Sequence, residues 1–170
     1  PVQSGSTEVL KKMNRRYTKE QYLALVEKIK QAIPDVSLTT DIIVGFPGET
    51  LEDVEETIDV VKTVQFDNAF TFIYSKRTGT PAARMDDQVD EEVKNERVHR
   101  LISLSDQLAK EYASNFENEV LEVIPEEAFT EGDKEGLYVG YADNYIKVVF
   151  EGNEQLVGQL VKVKVTKADY

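Results

Sequence analysis

Thr39-Thr-Asp-Ile-Ile-Val-Gly-Phe-Pro-Gly-Glu-Thr50 decides how the first two-thirds of this 170-residue chain is read. Leu38, Thr40, Ile42 and Val44 alternate with Thr39, Asp41 and Ile43, the period of a strand with two distinct faces. The strand reads as 36–44, and Gly45-Phe-Pro-Gly48 turns the chain sharply at its end. On either side the period lengthens to that of a helix. Upstream, Thr18 and Gln21 make a capping-box pair. Tyr22, Leu25, Val26, Ile29, Ala32 and Ile33 then form one apolar stripe, which Pro34 ends. Downstream, Leu51, Val54, Ile58 and Val61 predict a helix over 51–65. A second strand over 69–75 opens into Lys76-Arg-Thr-Gly-Thr-Pro81, a basic Gly/Pro loop. A long helix over 89–115 carries Val98, Leu101, Leu108 and Tyr112 on one stripe.

Helices and strands that alternate with crossover-length connections predict parallel βα units. Two parallel strands do not make a buried sheet by themselves. The opening Pro1-Val-Gln-Ser-Gly-Ser6 also begins without a run-in, so the chain reads as an excised piece of a larger sheet. The Phe70/Phe72/Tyr74 stripe reads as core. After Phe116 the texture changes to short strands over 119–124, 137–141, 145–150 and 160–166. Turn residues Gly132, Gly136, Asn144, Gly152 and Gly158 separate or flank them. The expected organisation is therefore an α/β part over 1–116 and a small antiparallel β-barrel over 117–170.

Composition excludes several chemistries. The chain has no cysteine, which removes a disulfide framework, a cysteine nucleophile and any cysteine-ligated zinc or iron–sulfur cluster. One histidine, His99, removes a self-contained multi-histidine metal site, and its mid-helix position reads as surface. No apolar run is long enough to span a membrane and no signal-peptide pattern opens the chain, so a cytoplasmic protein is expected. With 32 acidic and 20 basic residues the formal net charge is −12, a poor starting point for a nucleic-acid binder. Up to Phe116 there are 15 bases and 20 acids; beyond it, 5 and 12. Any RNA contact must come from local clusters.

Asp41 lies on the strand face opposite Leu38, Ile42 and Val44, close to the carboxyl end, where parallel α/β proteins bind ligands. A carboxylate there accepts two hydrogen bonds from vicinal ribose hydroxyls, or it caps the following turn; the residues alone leave both readings open. Gln3 and Ser4 either hydrogen-bond a ligand or bond only backbone. Arg15 and Arg16 either pair with a carboxylate or form a solvated cluster with Lys11 and Lys12. Lys76, Arg77 and Arg84 put basic density at a strand's carboxyl end, against the alternative of solvated loop charge. In the tail, Asn144, Tyr145 and Lys147 present an amide, a ring and an ammonium together at a strand start. Such a strip could hold RNA by stacking and phosphate contact; Tyr145 in the barrel core and Lys147 solvated is the other reading.

Four segments, taken in order, resemble the radical-SAM tRNA methylthiotransferases. They are Pro1-Val-Gln-Ser-Gly-Ser6, Met13-Asn-Arg-Arg-Tyr-Thr18, Thr39–Thr50, and Tyr74-Ser-Lys-Arg-Thr-Gly-Thr-Pro-Ala-Ala83. Asp143-Asn-Tyr-Ile-Lys-Val148, Gly152 and the stretch 156–166 resemble that family's C-terminal TRAM domain. The resemblance implies the C-terminal half of a partial TIM-type barrel, with S-adenosylmethionine and two 4Fe–4S clusters as the intact enzyme's cofactors. It implies transfer of a methylthio group to carbon 2 of a modified adenosine beside the anticodon, with the tRNA anticodon stem-loop as partner. Carried over residue by residue, Gln3 and Asp41 match ribose ligands and Arg15 the partner of the methionine carboxylate, while Ile43–Gly45 matches the segment against the adenine.

The family's cluster cysteines have no counterpart in this chain, so the resemblance implies a fragment that is inactive alone and depends on the missing N-terminal half. Residues 85–150 look like the enzymes acting on threonylcarbamoyladenosine, whereas Phe70-Thr-Phe-Ile-Tyr74 looks like the isopentenyladenosine type. The longer match points to the former. A third relative, acting on a ribosomal-protein aspartate, fits less of the chain. A stand-alone RNA-binding module and an adaptor without nucleotide affinity are the competing classes.

Overall fold

The computed structural model describes residues 1–34, 36–130 and 136–168. The chain divides into two units, Pro1–Leu108 and Ala109–Tyr170. In the first, a six-residue sheet pair forms where the alternation predicts it. β1 (Thr39–Val44) and β2 (Asn68–Ile73) run parallel in continuous register from Thr39 opposite Asn68 to Val44 opposite Ile73. The other edge of β1 is occupied by Gln3, which pairs with Ile42 as a single parallel bridge. Its N–H donates to the Asp41 carbonyl and its carbonyl accepts from the Ile43 N–H, both at 2.9 Å. The opening segment thus supplies a rudimentary third strand position, which its polar composition hid.

The α-helices among the described residues are α1 (Thr7–Lys12), α2 (Lys19–Ala32), α3 (Leu51–Val64) and α4 (Glu91–Ser114). Three of the four start on identifiable caps. Ser6 accepts from the Val9 N–H to cap α1, and reciprocal capping boxes Thr18/Gln21 and Thr50/Asp53 start α2 and α3. Val2, Ile42 and Val44 pack against Val26, Val54, Ile58 and Val61 to make the core of this unit. β1 accordingly shows Thr40, Ile42 and Val44 buried and Asp41 and Ile43 on the other, partly open face.

Three expectations need correction. Leu25 and Ile33 do not join the buried stripe of α2; they are 54% and 56% exposed. The buried line is centred on Val26, and Ile33 has already left helical geometry as the C-cap. Leu51, at the first position of α3, is likewise exposed. Most consequential, Phe70 and Phe72 are not core: they are 49% and 53% exposed. They lie opposite Asp41 and Ile43, on the face turned away from α2 and α3, and no strand among the described residues flanks β2 on its far side.

The second unit carries an antiparallel sheet in the order β5-β4-β3-β6, from β3 (Val120–Ala128), β4 (Leu137–Ala142), β5 (Lys147–Glu151) and β6 (Val161–Lys164). A register shift between Pro125 and Glu127 bends β3. Leu121, Val123, Ala142 and Val148 fill the concave side with Phe150, Val161 and Val163 against them. The sheet is a curled half-barrel, with β5 and β6 as its edges. The turn expected at Gly132 lies outside the described residues.

Candidate nucleoside site and RNA strip

A cavity of about 550 Å³ opens against the exposed face of β1 and β2, within the size range of small-molecule sites. Gln3, Asp41, Ile43, Phe72, Tyr74 and Arg77 are among the residues lining it. Asp41 and Ile43 reach it because they occupy alternate positions on β1. Gln3 reaches it by a different device. Its φ of +65 breaks the extended geometry, and it lines the cavity although it pairs in register with the core residue Ile42. Among the described residues, neither the Gln3 amide nor the Asp41 carboxylate has a side-chain hydrogen bond or ion pair. The alternative in which Asp41 caps the following turn has no bond to support it; Glu49 performs that task.

Glu49 accepts the Gly45 N–H at 2.9 Å and closes the Gly-Phe-Pro-Gly turn. Arg97 donates to the same carboxylate oxygen at 2.9 Å and to the Glu49 carbonyl at 3.0 Å. Burial pushes the Glu49 carboxyl above its ordinary range, although the Gly45 N–H and the Arg97 guanidinium both act to lower it. The stem of Lys94, itself buried, lies over Gly45. Its ammonium reaches the Glu91 carboxylate at 2.7 Å and the Tyr74 carbonyl at 3.3 Å, and sits 5.5 Å from the centre of the Tyr74 ring. Sequence reasoning missed Glu49, Arg97 and Lys94. A short-range signal existed for Glu49, an acid placed to accept from its own turn, but none for Arg97, 48 positions away, or for Lys94 on the same helix.

Other candidates fall elsewhere. Ser4 does not line the cavity: its hydroxyl is buried 3.4 Å from the Thr57 hydroxyl and accepts from the Ser6 N–H at 3.2 Å. Arg15 is exposed and is not among the lining residues. Its charge is felt by Tyr17, whose hydroxyl, raised in pKa chiefly by burial, donates to the Pro1 carbonyl at 3.0 Å. Gly45 has its open side filled by Lys94 and does not line the cavity. Arg84 sits exposed at the end of a short 3-10 turn, Ala82–Arg84.

In the second unit, the β4–β5 connection is a tight turn in which the Tyr145 N–H donates to the Ala142 carbonyl and the Ala142 N–H to the Ile146 carbonyl, both at 3.0 Å. Tyr145 takes a φ of +63, and the residue is 68% exposed. It is not barrel core. Asn144 accepts from the Ile146 N–H at 3.3 Å, which pins the turn. Lys147, first residue of β5, places its ammonium 5.6 Å from the centre of the Phe129 ring.

Neither iron–sulfur cluster fits this chain. It has no thiolate to offer, and no group of three or more His, Asp or Glu side chains converges among the described residues. No helix among them is long and apolar enough to cross a membrane.

Comparison with known proteins agrees with both units. Residues 1–61 match the radical SAM superfamily and residues 117–169 the TRAM domain. The chain is 62% identical over its whole length to the threonylcarbamoyladenosine tRNA methylthiotransferase of Bacillus subtilis, of which it covers 38%. It is 53% identical over 97% of its length to the tRNA-2-methylthio-N(6)-dimethylallyladenosine synthase of Acetivibrio thermocellus, covering 34% of that protein. The corresponding synthase of Carboxydothermus hydrogenoformans is 54% identical over 98% of the chain, which covers 38% of it. The chain thus spans little more than a third of the relatives it matches. The chain is thus similar to the radical SAM superfamily over its first third and to the TRAM domain over its last third, and the relatives it matches along its whole length carry methylthiotransferase names.

Proposed function

We propose that this chain is the cofactor-cradling and RNA-gripping portion of a cytoplasmic tRNA methylthiotransferase, with the part over 1–116 serving the cofactor and the part over 117–170 the RNA. Its product is a 2-methylthio group on a modified adenosine next to the anticodon, with threonylcarbamoyladenosine as the substrate base. The observation that carries the reading is the pair of unsatisfied polar side chains, Gln3 and Asp41, on one cavity wall beside Ile43. Their chemistry suits an adenosyl group: the carboxylate accepts from two vicinal hydroxyls, the amide donates and accepts, and Ile43 and Phe72 supply apolar surface for a base. S-Adenosylmethionine would bring the reactive chemistry. The residues here bind and orient it, while the clusters are held by chain that this sequence does not contain.

Asn144, Tyr145 and Lys147 form the RNA strip on the second unit, with Tyr145 stacking on a base and Lys147 meeting phosphate. Arg77 and Arg84 supply cations on the first unit. The higher identity to the threonylcarbamoyladenosine enzyme supports that substrate. The dimethylallyladenosine synthases at 53% and 54% identity support isopentenyl-type adenosine as the second reading. The test is a chimera in which this chain replaces the matching segment of the B. subtilis enzyme, supplied with tRNAs bearing either modification. Methylthiolation of the threonylcarbamoyl tRNA alone is the expected result; methylthiolation of the isopentenyl tRNA alone would give the second reading, and of neither tRNA by a folded, cluster-loaded chimera would refute both.

A further inference from the structure

Val9-Leu-Lys-Lys-Met-Asn-Arg-Arg-Tyr-Thr-Lys19 holds five cations and no acid, in a chain whose net charge is −12. Two of the five are neutralised within the fold. Lys12 reaches Asp87 at 3.6 Å and the Gly48 carbonyl at 3.0 Å, and Lys19 reaches Glu56 at 3.2 Å. Lys11, Arg15 and Arg16 are exposed and form no ion pair or side-chain hydrogen bond among the described residues. The carbonyl end of α1 favours a cation at Lys11, but Arg15 and Arg16 lie beyond the helix. The backbone that carries them is fixed. The Met13 N–H donates to the Val9 carbonyl and the Arg15 N–H to the Leu10 carbonyl, both at 2.9 Å, and Asn14 turns the chain with a φ of +58. The Tyr17 hydroxyl then donates to the Pro1 carbonyl at 3.0 Å, with the Val2 carbonyl at 3.3 Å. Those carbonyls immediately precede Gln3, a residue of the cavity wall. The Lys19 N–H donates to the Thr7 hydroxyl at 3.0 Å and closes the loop onto α1.

Resting on the reading of tRNA as the partner, we infer that the loop between α1 and α2 is a phosphate-binding surface for RNA on the first unit, with Lys11 and Arg16 as its contacts and Arg15 adding to the local field. It is a different surface from the loop after β2. A pinned loop loses little further freedom on binding. The cations come without an exposed large hydrophobic side chain between residues 9 and 19, the anchor that a lipid surface or a protein interface would use. Phosphate is met by ammonium and guanidinium groups alone. The acidic chain as a whole repels a polyanion, so the attraction is local and short-ranged. The loop therefore holds the backbone of the strand flanking the nucleotide offered to the cavity, and it positions without reading sequence.

The test follows binding of an anticodon stem-loop RNA to the 170-residue chain across salt concentrations, with backbone amide NMR shifts read in the same titration. Lys11→Ala combined with Arg16→Ala should weaken binding about tenfold at low salt and flatten the log–log salt slope by about one to two units. Lys28→Ala combined with Lys62→Ala makes the same change in net charge at exposed positions of α2 and α3, and it should leave the slope as it is. The amides of residues 11–16 should shift as RNA is added. If the two double variants alter the slope equally, or if those amides stay still at saturating RNA, the loop is not an RNA surface. If the Lys11/Arg16 variant binds as the parent chain does, the patch is overturned while RNA binding through the second unit stands. If the chain binds no stem-loop RNA at all, the tRNA reading falls and the patch falls with it.

Discussion

Arg97 holds Glu49 at two points, donating to its carboxylate at 2.9 Å and to its carbonyl at 3.0 Å across 48 residues of sequence. Both residues are buried, and the same carboxylate oxygen accepts the Gly45 N–H at the end of β1. The pair therefore fixes the turn that follows the cavity wall. Arg97→Met leaves a buried carboxylate with no cation, and a cost of about 3–5 kcal/mol is expected. Glu49→Leu combined with Arg97→Met removes both charges and is expected to recover most of that loss. Urea unfolding of the three variants measures it.

Gly45 has a φ of +74, and a Cβ there would lie 2.3 Å from Lys94 Cγ. Gly45→Ala is expected to cost about 2–4 kcal/mol, from left-handed strain and overpacking together. Placing Gly45→Ala in a Lys94→Ala background relieves the clash but not the φ. A double-mutant cycle by chemical denaturation should therefore show a favourable coupling that leaves about 1–2 kcal/mol unrecovered.

Asp53 gives the first unit a pH dependence. Burial pushes its carboxyl up, but hydrogen bonds from the Ser6 hydroxyl and from the Thr50 backbone and hydroxyl outweigh that, and its pKa is lowered. A carboxyl lowered on folding stabilises the protein above its unfolded pKa, and that contribution is lost as pH falls through the folded value. Ser6→Ala removes one of those donors and the cap of α1. It should destabilise by about 1 kcal/mol near neutral pH, and less in acid, where Asp53 is protonated in both proteins. Thermal melts from pH 7 downward test the sign.

Tyr145 separates stability from binding. A bulky residue held at a φ of +63 is strained, and the residue is exposed. Tyr145→Gly should stabilise the second unit by up to about 1 kcal/mol while weakening tRNA binding by about 1–3 kcal/mol if the ring stacks on a base. Lys147→Ala should flatten the salt dependence by about one unit. A stabilised Tyr145→Gly chain with unaltered tRNA affinity would assign the tyrosine a purely local role.

The parallel pairing of β1 and β2 was legible because alternation over Leu38–Val44 and helical stripes beside it are local signals. The exposure of Phe70 and Phe72 was not, since an apolar stripe looks the same whether or not a neighbouring layer covers it. Helix α1 escaped notice because six residues give too little period to read, although Ser6 is an ordinary cap. Asp41 and Ile43 could be placed on one face from parity alone. Gln3 reaches that cavity only through a positive φ, which glutamine does not announce. Glu49, Arg97 and Lys94 depend on how α4 meets the β1 turn, and no local pattern encodes that.

The most direct measurement is the equilibrium affinity of the cluster-loaded chimera for S-adenosylmethionine, with Asp41 and with Asp41→Ala. Loss of a charged hydrogen-bonding partner is worth about 1.5–3 kcal/mol, so the variant should bind roughly ten- to a hundredfold more weakly, with its clusters and tRNA affinity intact. Equal affinities in the two proteins would contradict the assignment of this cavity to the adenosyl group.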